Sequence, residues 1–599
     1  MENGPVIVHV THETTQKIGG IGAVLKGLFT CKAYLEFAGR SIVTGPLFDR
    51  DAPLSKRMGK DGQVLYSSLD GLFNTEYRVS FAELERRYNA HIIYGTKKYI
   101  DEQTGVNSTA EIILVDVTTM YDRLVNDLKS RFFERFDIRS DQYEFIWEYE
   151  QYVRLATIII PILSAMGAAD GPGIIVGHEW MGMPSVLAAI CNDNYDFRTI
   201  FYAHEVATIR KIVEEHPGHD VHFYNAMTEG QKNSEYLPDL FGSQSGYFKH
   251  PLVEASKYCH AICAVGDYTA KELRFLSEGF ADIPVDVVYN GIPAYETLME
   301  DKHGSRRKLQ QYCENLLGYR PNYIFTHVTR LVRSKGLWRD LEILEEIDRQ
   351  FTRLGQSGVF YILSTEVCQR DFEDIINMES AYGWPVAHKQ GWPDMSGGET
   401  EYYTFVQRFN ARSRNIKAVF INQFGFEHML CGKNMPEDME PVDIRRGSDV
   451  EFGLSVYEPF GISHLEPLTY GGICVLSSVC GCAGFIRKVT GGRIPRNVII
   501  ADYVNSDIVH SLDEPIGRSV LRRIEQQIGQ ELAGEILARL AAGDKDTRTL
   551  IEQGYELARK MSWQRIVESF VLPSLRKALS KDTVQIAPAL LPYQTTESL

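Results

Sequence analysis

Two carboxylates stand eight positions apart around a Pro-Phe-Gly turn, with Glu458 before the turn and Glu466 after it. The apolar residues 452–456 predict a strand before the pair, and residues 462–469 predict the start of a helix after Gly461. Acceptor-only carboxylates in such a loop suit the paired hydroxyls of a sugar. Taken by itself, the same spacing also fits a solvated helix face that happens to carry two glutamates.

A loop of cations follows another predicted strand, residues 323–328. Arg330 and Lys335 could hold two phosphates, the first as a planar fork and the second as a point charge. Arg333 is expected to be solvated. Because cations oppose the dipole at the start of a helix, their position here favours an anionic ligand.

A glycine-rich turn follows the first predicted strand, residues 6–10. Lys17, Gly19 and Gly20 precede the helical run 23–31, so backbone N–H groups, a helix start and a full positive charge could face an anion. A Gly-Gly turn before a helix is common. The sequence therefore leaves both a phosphate contact and an ordinary structural turn open.

Two histidines end consecutive predicted strands in the first half of the chain. His178 stands in Gly-His-Glu-Trp and His204 in Ala-His-Glu. A lone histidine at a strand end is usually structural, whereas two at one sheet edge favour the polar wall of a cleft. Asn290 lies in the turn that ends this set of strands.

The elements that must position these side chains alternate between short apolar strands and longer amphipathic stretches. One parallel sheet is predicted from residues 6–10, 173–176, 199–203, 261–265 and 285–289. A second is predicted from residues 323–328, 359–363, 418–421, 454–456, 473–476 and 498–500. In such sheets ligands bind outside the carboxyl ends of the strands, where all of the motifs above fall.

The simplest architecture is an α/β chain with two doubly wound, Rossmann-like domains facing a central cleft. We expect an N-terminal domain over residues 1–292 with a helical insertion near 118–155. A C-terminal domain is expected over 293–560, with an insertion near 368–445. A C-terminal helix at 561–580 and a tail at 581–599 complete the prediction.

Composition narrows the partners. The 599 residues include 63 Lys and Arg against 79 Asp and Glu, a net charge of −16, so we expect no nucleic-acid and no membrane partner. The 10 cysteines are scattered rather than grouped as ligands, which predicts a reducing, cytoplasmic location and no metal site. The N-terminus shows no leader pattern. The longest apolar run, 155–169, contains Pro161 and predicts a buried helix rather than a membrane span.

Taken together, the motifs resemble the retaining GT-B glycosyltransferases, and most closely the glycogen and starch synthases. They occur in the family's order over roughly residues 5–490. Residues 562–575 also resemble the terminal helix that in these enzymes crosses back to the first domain. The matching residues are Lys17, Gly19 and Gly20 in Lys-x-Gly-Gly, His178 in His-(Asp/Glu)-Trp, the acceptor-side His204, Asn290 in Asn-Gly-Ile, Arg330 with Lys335, and Glu458 with Glu466.

The resemblance implies transfer of glucose from UDP-glucose or ADP-glucose to the non-reducing end of an α-1,4-glucan, with retention. It implies that Glu458 holds sugar hydroxyls, that Glu466 holds the ribose and that His204 lies near the 6-hydroxyl. Arg330 and Lys335 would stabilise the leaving diphosphate, so neither a metal nor a cofactor is expected. The implied substrate-binding residues are Lys17, Gly19, Gly20, His178, Asn290, Gly461, Glu466 and Gly481.

The chain departs from the family pattern at Ala23, where the bacterial enzymes have Asp, and at Cys480, which stands in a glycine position. The insertion at 368–445 has no family counterpart. These differences leave the acceptor and the sugar open, and the donor base stays open because the motifs fit the enzymes that use UDP-glucose as well as those that use ADP-glucose. One rival is a retaining GT-B transferase acting on a small sugar or sugar-phosphate acceptor, and another is a catalytically weak glucan-binding or scaffold protein.

Two further features stay open. The basic cluster of Arg518, Arg522 and Arg523 predicts either a solvated helix face or a site for an activating sugar phosphate. A homo-oligomer is compatible with the sequence.

Overall fold

The computed structural model describes residues 4–15, 19–101, 104–192, 194–367, 369–505 and 515–581. The chain forms two compact units. The first comprises Met1–Ile209, Gly230–Gly291 and Trp563–Leu599, and the second comprises Arg210–Glu229 and Ile292–Ser562. The sequence placed residues 210–229 in the first domain, whereas their contacts group them with the second unit.

The first unit is built on a ten-stranded sheet in the order β10-β9-β8-β7-β1-β2-β6-β5-β3-β4. Neighbours from β10 to β6 are parallel, whereas β6, β5, β3 and β4 pair antiparallel. The strands are β1 Val6–Val10, β2 Arg40–Pro46, β3 Gly62–Ser67, β4 Leu72–Phe73, β5 His91–Ile100, β6 Asn107–Asp116, β7 Gly173–His178, β8 Phe197–Ala203, β9 Ala261–Ala264 and β10 Val285–Val287.

Helices alternate with these strands. They are Gly20–Phe29, Lys32–Phe37, Leu54–Arg57, Arg78–Tyr88, Asp122–Phe136, the 3-10 turn Ser140–Gln142, Trp147–Ala165, Glu179–Ile190, Ala207–Glu215, His219–Asn233, Leu237–Phe241, Lys249–Glu254, the 3-10 turn Ala255–Tyr258, Asp267–Phe275 and Glu278–Ala281. Residues 210–229, inside this run, belong to the second unit.

The second unit holds a six-stranded, fully parallel sheet in the order β13-β12-β11-β14-β15-β16. The strands are β11 Tyr323–Val328, β12 Gly358–Leu363, β13 Ile416–Ile421, β14 Val450–Gly453, β15 Ile473–Ser477 and β16 Val498–Ala501. Both units are therefore Rossmann-like, which confirms the predicted α/β class with two such domains.

One predicted strand of the second sheet is misplaced. The sequence placed it at 454–456, but β14 ends at Gly453. Val456 N and Tyr457 N both donate to the carbonyl oxygen of Ser334, at 2.8 and 3.2 Å. The apolar run continues past the strand because these residues are buried against the loop after β11 rather than against a neighbouring strand.

The helices of the second unit cover both faces of its sheet. Phe325 packs in one core cluster, whereas its neighbour Ile324 packs in another, because successive strand residues point to opposite faces. The helices are Met299–Leu317, the 3-10 turn Arg333–Lys335, Leu337–Leu354, Phe372–Tyr382, Gly398–Arg412, His428–Cys431, Asp443–Gly447, the 3-10 helix Ser463–Tyr470, Gly481–Thr490, Arg518–Arg539 and Asp544–Lys560.

The last described segment returns to the first unit as helix Trp563–Ile566, the π-helical turn Val567–Val571 and helix Leu572–Ser580. The Trp563 ring lies against Gly27 and Gly291, where an added Cβ would stand 2.2 and 2.6 Å from ring atoms. Lys577 Nζ pairs with Asp286 Oδ1 at 2.8 Å. Of the helices in the described ranges, none combines the length and apolar character that a membrane crossing needs.

Candidate functional site

The central loops of the second sheet bring two predicted site residues into contact. Because β11 and β14 are neighbours, the loops that follow them meet at one edge of the sheet. The ammonium of Lys335, after β11, forms an ion pair with the carboxylate of Glu458, after β14. Both side chains are mostly shielded from solvent, with 13% and 11% of their surface exposed. Arg330 lies exposed on the first of these loops.

A glycine sets the path of the cation loop. Gly336 adopts φ +62°, and a Cβ at this position would lie 2.4 Å from the carbonyl oxygen of Leu454. Only glycine combines this backbone conformation with so close an approach. The helix Leu337–Leu354 begins at the next residue, so Lys335 is held at the point where the two loops touch.

The next turn of that helix is anchored below the loop by a buried charge network. The Arg339 guanidinium pairs with Asp220 at 2.8 Å and with Glu525 at 2.7 Å. It also lies 3.9 Å above the ring of Tyr503. Arg339 thus joins three segments of the second unit, because leaving either carboxylate unpaired in the interior would be costly.

Glu458 is an ionised carboxylate in this setting. Burial alone would raise its pKa, but the Lys335 ammonium, together with His464 and Arg330, lowers the pKa below its usual value. A lowered pKa does not suit a general acid, which must carry a proton. It does suit a carboxylate that accepts hydrogen bonds from hydroxyl groups.

His464, which the sequence did not predict as a site residue, lies directly beside Glu458. Its Nε2 is 3.6 Å from Glu458 Oε2, and the ring is fully buried. Gly453 and Gly461 make room for it, since a Cβ on either would stand 2.5 or 2.8 Å from the ring. Within the described chain neither ring nitrogen has a hydrogen-bond partner. Burial lowers the His464 pKa to about 3, so the ring is neutral at neutral pH.

Glu466 lies apart from this pair, on the 3-10 helix Ser463–Tyr470. Arg445 Nε binds its Oε2 at 2.8 Å, and the Glu466 side chain is 40% exposed. Arg445 also pairs with the buried Glu451. The two glutamates of the spaced pair are therefore held by different cations, and the sequence did not predict a role for Arg445.

The loop around Cys480, which stands in a glycine position of the family pattern, packs against the turn that follows Glu458. Gly481 N donates to the carbonyl oxygen of Glu458 at 3.3 Å, and Cys482 N donates to Phe460 O at 2.9 Å. Helix Gly481–Thr490 begins here, so the first N–H groups of the helix bind the backbone of the turn that carries Glu458. Gly461, at φ +89°, completes this turn.

In the first unit, the two predicted histidines form part of a longer line. His204 Nε2 lies 2.9 Å from His178 Nδ1, and His178 Nε2 lies 2.9 Å from His9 Nδ1. His9 Nε2 in turn lies 2.9 Å from the hydroxyl of Tyr34. The predicted proximity of His178 and His204 is thus observed, whereas His9 and Tyr34 were missed.

The residue after His178 has an unusual backbone. Glu179 adopts φ +62°, a conformation that costs a non-glycine residue free energy and is often found at functional sites. Its carboxylate accepts the backbone N–H groups of His204 and Glu205. Burial and the nearby Glu205 carboxylate raise the Glu179 pKa well above its usual value. These contacts hold the end of β8 against the end of β7.

The glycine turn after β1 is only partly described, since Lys17 lies outside the described residues. Gly19 precedes helix Gly20–Phe29, whose first turn donates Gly22 N to Glu13 Oε2 at 2.8 Å. A carboxylate of the chain itself therefore occupies part of the helix start where a phosphate contact was predicted.

Asn290 is 5% exposed, and its Oδ1 finds no hydrogen-bond partner in the described part of the chain. It belongs to the first unit and directly precedes Gly291, against which the Trp563 ring packs.

The predicted basic cluster lines a cavity of about 710 Å³. Its exposed arginines are Arg518, Arg522 and Arg523, and the other lining residues are Ser519 and Gln526. No cluster of three or more metal-ligating side chains occurs within the described ranges.

No protein-family model and no curated protein matches the chain. Similar solved structures include a UDP-forming α,α-trehalose-phosphate synthase from Burkholderia xenovorans in complex with glucose-6-phosphate. Its TM-score is 0.48 at 11% identity, over 95% of this chain and 100% of that one. A sucrose-phosphate synthase from Thermosynechococcus elongatus has a TM-score of 0.47 at 11% identity, over 96% and 99%.

The catalytic domain of starch synthase IV from Arabidopsis thaliana, bound to ADP and acarbose, has a TM-score of 0.43 at 15% identity, over 93% of this chain and 99% of that one. With TM-scores below 0.5, none of these likenesses assigns a donor or an acceptor to this chain.

Proposed function

We propose that this chain is a glucosyltransferase that moves glucose from UDP-glucose or ADP-glucose to the non-reducing end of an α-1,4-glucan, with retention. The observation that carries the proposal is the Lys335–Glu458 ion pair beside the exposed Arg330, at the carboxyl edge of a parallel sheet. Ligands of such sheets bind at this edge. Cations for a diphosphate and an ionised carboxylate for sugar hydroxyls are brought together there.

The reaction breaks the bond between the anomeric carbon and the phosphate oxygen and forms a bond to the 4-hydroxyl oxygen of the acceptor. The nucleoside diphosphate leaves with the bonding electrons, and its leaving oxygen takes up the proton that the acceptor hydroxyl gives up. Negative charge grows on the leaving group, so fixed cations lower the barrier. Arg330 and Lys335 take this role in the proposal, and Lys17 remains a candidate third cation.

The ion pair is compatible with the roles proposed for Lys335 and for Glu458. The ion pair with Glu458 orients the Lys335 ammonium before a donor arrives, which reduces the reorganisation needed during the reaction. The same carboxylate still has lone pairs for sugar hydroxyls. Glu466, oriented by Arg445, is proposed to bind the ribose hydroxyls through its exposed oxygen.

Binding roles are also proposed for the remaining predicted residues, each within its own unit. In the first unit, His204 would donate to a hydroxyl of the transferred sugar, with His178 behind it, and Asn290 would bind substrate. Gly19 and Gly20 would approach the diphosphate, for which Glu13 would have to move aside. In the second unit, Gly461 and Gly481 are proposed to shape the wall beside Glu458.

A screen of donor against acceptor tests the proposal. The full-length protein is incubated with UDP-glucose or ADP-glucose, and with glycogen or glucose-6-phosphate, while released diphosphate and glucan length are both measured. Diphosphate release that depends on glycogen and lengthens it is the expected result. Release that depends on glucose-6-phosphate would establish the small-acceptor rival, and glucan binding without release would establish the scaffold rival.

Two substitutions in one loop test the cation role. Lys335→Ala should lower turnover by roughly 10²-fold or more, the effect of losing one group that stabilises developing charge. Arg333→Ala, which removes an exposed cation two positions away, is the matched control and should keep near-normal turnover. Equal effects of the two changes would remove Lys335 from the site. EDTA should leave the rate unchanged, because the proposal uses side-chain cations in place of a metal.

A further inference from the structure

The line of polar side chains behind His204 is continuous and buried. It runs from the Tyr34 hydroxyl through His9 and His178 to His204, with three heavy-atom distances of 2.9 Å. Tyr34 and His178 have no exposed surface, and His9 has 2%. His9 and His178 lie in the first and seventh strands, and His204 directly follows the eighth; these three strands are neighbours in the sheet. Such a line crosses sequence distances that no local pattern could specify.

The line can be polarised in only two ways, because a neutral imidazole carries one N–H and one acceptor nitrogen. In the first, the Tyr34 hydroxyl donates to His9, and each histidine donates through Nδ1 to the next. In the second, every donor is reversed, and the Tyr34 proton must go elsewhere. The only other hydrogen-bond partner of this hydroxyl within the described ranges is Ser41 Oγ, at 3.4 Å.

The first polarity is favoured on chemical grounds. A phenol is a stronger acid than a neutral imidazole N–H, and an imidazole nitrogen is a stronger base than a phenol oxygen. The 2.9 Å contact between Tyr34 and His9 is also shorter than the 3.4 Å contact to Ser41, and hydrogen bonds weaken beyond about 3.2 Å. The Tyr34 proton therefore lies towards His9.

Charge does not disturb this arrangement near neutral pH. Burial lowers the pKa of His9 to about 3 and that of His204 to about 3. It lowers the His178 pKa well below its usual value, and the neighbouring histidines lower it further. His12 also acts on His204, and it too favours the neutral form.

We propose that Tyr34, His9 and His178 are positioning residues that hold His204 in its Nδ1–H tautomer. The nitrogen of His204 that is not used in the line is then a fixed hydrogen-bond donor. A fixed donor recognises an oxygen lone pair, such as that of a sugar hydroxyl, and leaves the hydroxyl proton to another acceptor. The tautomer follows from the line alone, whereas its use in sugar recognition rests on the proposed function.

Imidazole nitrogen chemical shifts test the tautomer directly. The full chain is labelled with ¹⁵N-histidine, and protonated and unprotonated ring nitrogens are distinguished in long-range ¹H–¹⁵N spectra at pH 7. His204→Gln identifies the His204 signals by their loss. Nδ1 protonation of His204 is expected in the wild-type protein. Nε2 protonation there would overturn the proposal, and this measurement needs no variant in the tyrosine.

Removal of the terminal hydroxyl tests whether Tyr34 sets the polarity. Tyr34→Phe should shift the His204 nitrogens towards a mixture of the two tautomers. Tyr149→Phe is the matched control, because it removes another buried tyrosine hydroxyl of the same unit, one that pairs with Ser140 Oγ at 2.7 Å. A His204 spectrum that is unchanged in Tyr34→Phe would overturn the role of Tyr34.

Kinetics of the same variants separates this inference from the proposed function. Tyr34→Phe should raise the KM for the nucleotide-sugar donor by roughly three- to tenfold, the size of one neutral hydrogen bond, with a smaller change in kcat. Tyr149→Phe should leave the KM unchanged. Absence of transfer from any donor in the wild type would refute the proposed function, while the nitrogen shifts would still decide the tautomer.

Discussion

Acidification provides a quantitative test of the buried His464. The folded pKa of this histidine is lowered to about 3 by burial, whereas an unfolded chain has a histidine pKa of about 6.5. Between these values the unfolded state binds more protons, so stability falls as pH falls. The penalty is absent above pH 6.5 and grows as pH falls from 6.5 towards 3. The groups that face the ring are Glu458, Lys335, His327 and Arg445.

The magnitude follows from the two pKa values. From pH 6.5 to pH 5 the penalty grows by about 1.4 kcal/mol per pH unit, which gives about 2 kcal/mol between pH 7 and pH 5. His464→Leu removes the titrating group and no hydrogen bond within the described chain. The wild type should therefore lose about 2 kcal/mol more stability than the variant over this pH interval.

Urea unfolding of the wild type and His464→Leu at pH 7, 6 and 5 measures this difference. Leu468→Ala is the control, since this residue is also fully buried and lies on the same 3-10 helix. It should destabilise the protein by about 2–5 kcal/mol at every pH, without changing the pH slope. Parallel curves for wild type and His464→Leu would refute the inference that the ring is buried in its neutral form.

Three further substitutions probe the supports of the site. Gly336→Ala should lower the transfer rate by roughly 10²-fold, because its Cβ would meet Leu454 O at 2.4 Å and displace the cation loop. Arg339→Met should lower the urea-unfolding free energy by about 3–5 kcal/mol, because two buried carboxylates lose their partner. Gly27→Ala should cost about 1–3 kcal/mol and alter Trp563 fluorescence, because the new Cβ would overlap the indole ring. Wild-type rates or stabilities in these variants would contradict the contacts on which they rest.

Five of the six strands of the second sheet could be predicted because each is a short, mostly apolar run between turn signals, whereas β14, which contains Glu451, was placed at 454–456. The first sheet was only half predicted. The strands that were predicted are likewise buried, but β5 and β6 mix apolar with polar residues, since one half of each is partly exposed. The apolar run Ile112–Val115 inside β6 was the available signal.

The residues of the candidate site likewise include some that the sequence could predict and some that it could not. Lys335 and Glu458 could be predicted at one sheet edge because each follows a predicted strand of the same parallel sheet. His464 lies between Glu458 and Glu466 in the sequence, but its burial depends on Gly453, a residue of the preceding strand. His9 lies inside a strand that reads as apolar, and its contact with His178 spans 169 positions. Such pairings are set by tertiary packing, which a single sequence does not display.

The passage of the chain between its units has a consequence for synthesis on the ribosome. The first unit has all of its strands by Val287, yet Trp563, which covers Gly27 and Gly291, is translated only after the second unit. Until then, the surface of the nascent first unit around Gly27 and Gly291 lacks the indole ring that covers it. A fragment that ends at residue 292 would lack Trp563 altogether, so this surface would stay uncovered. The fragment would also carry Asp220 without its Arg339 partner. Neither unit is therefore encoded by one continuous stretch of the sequence.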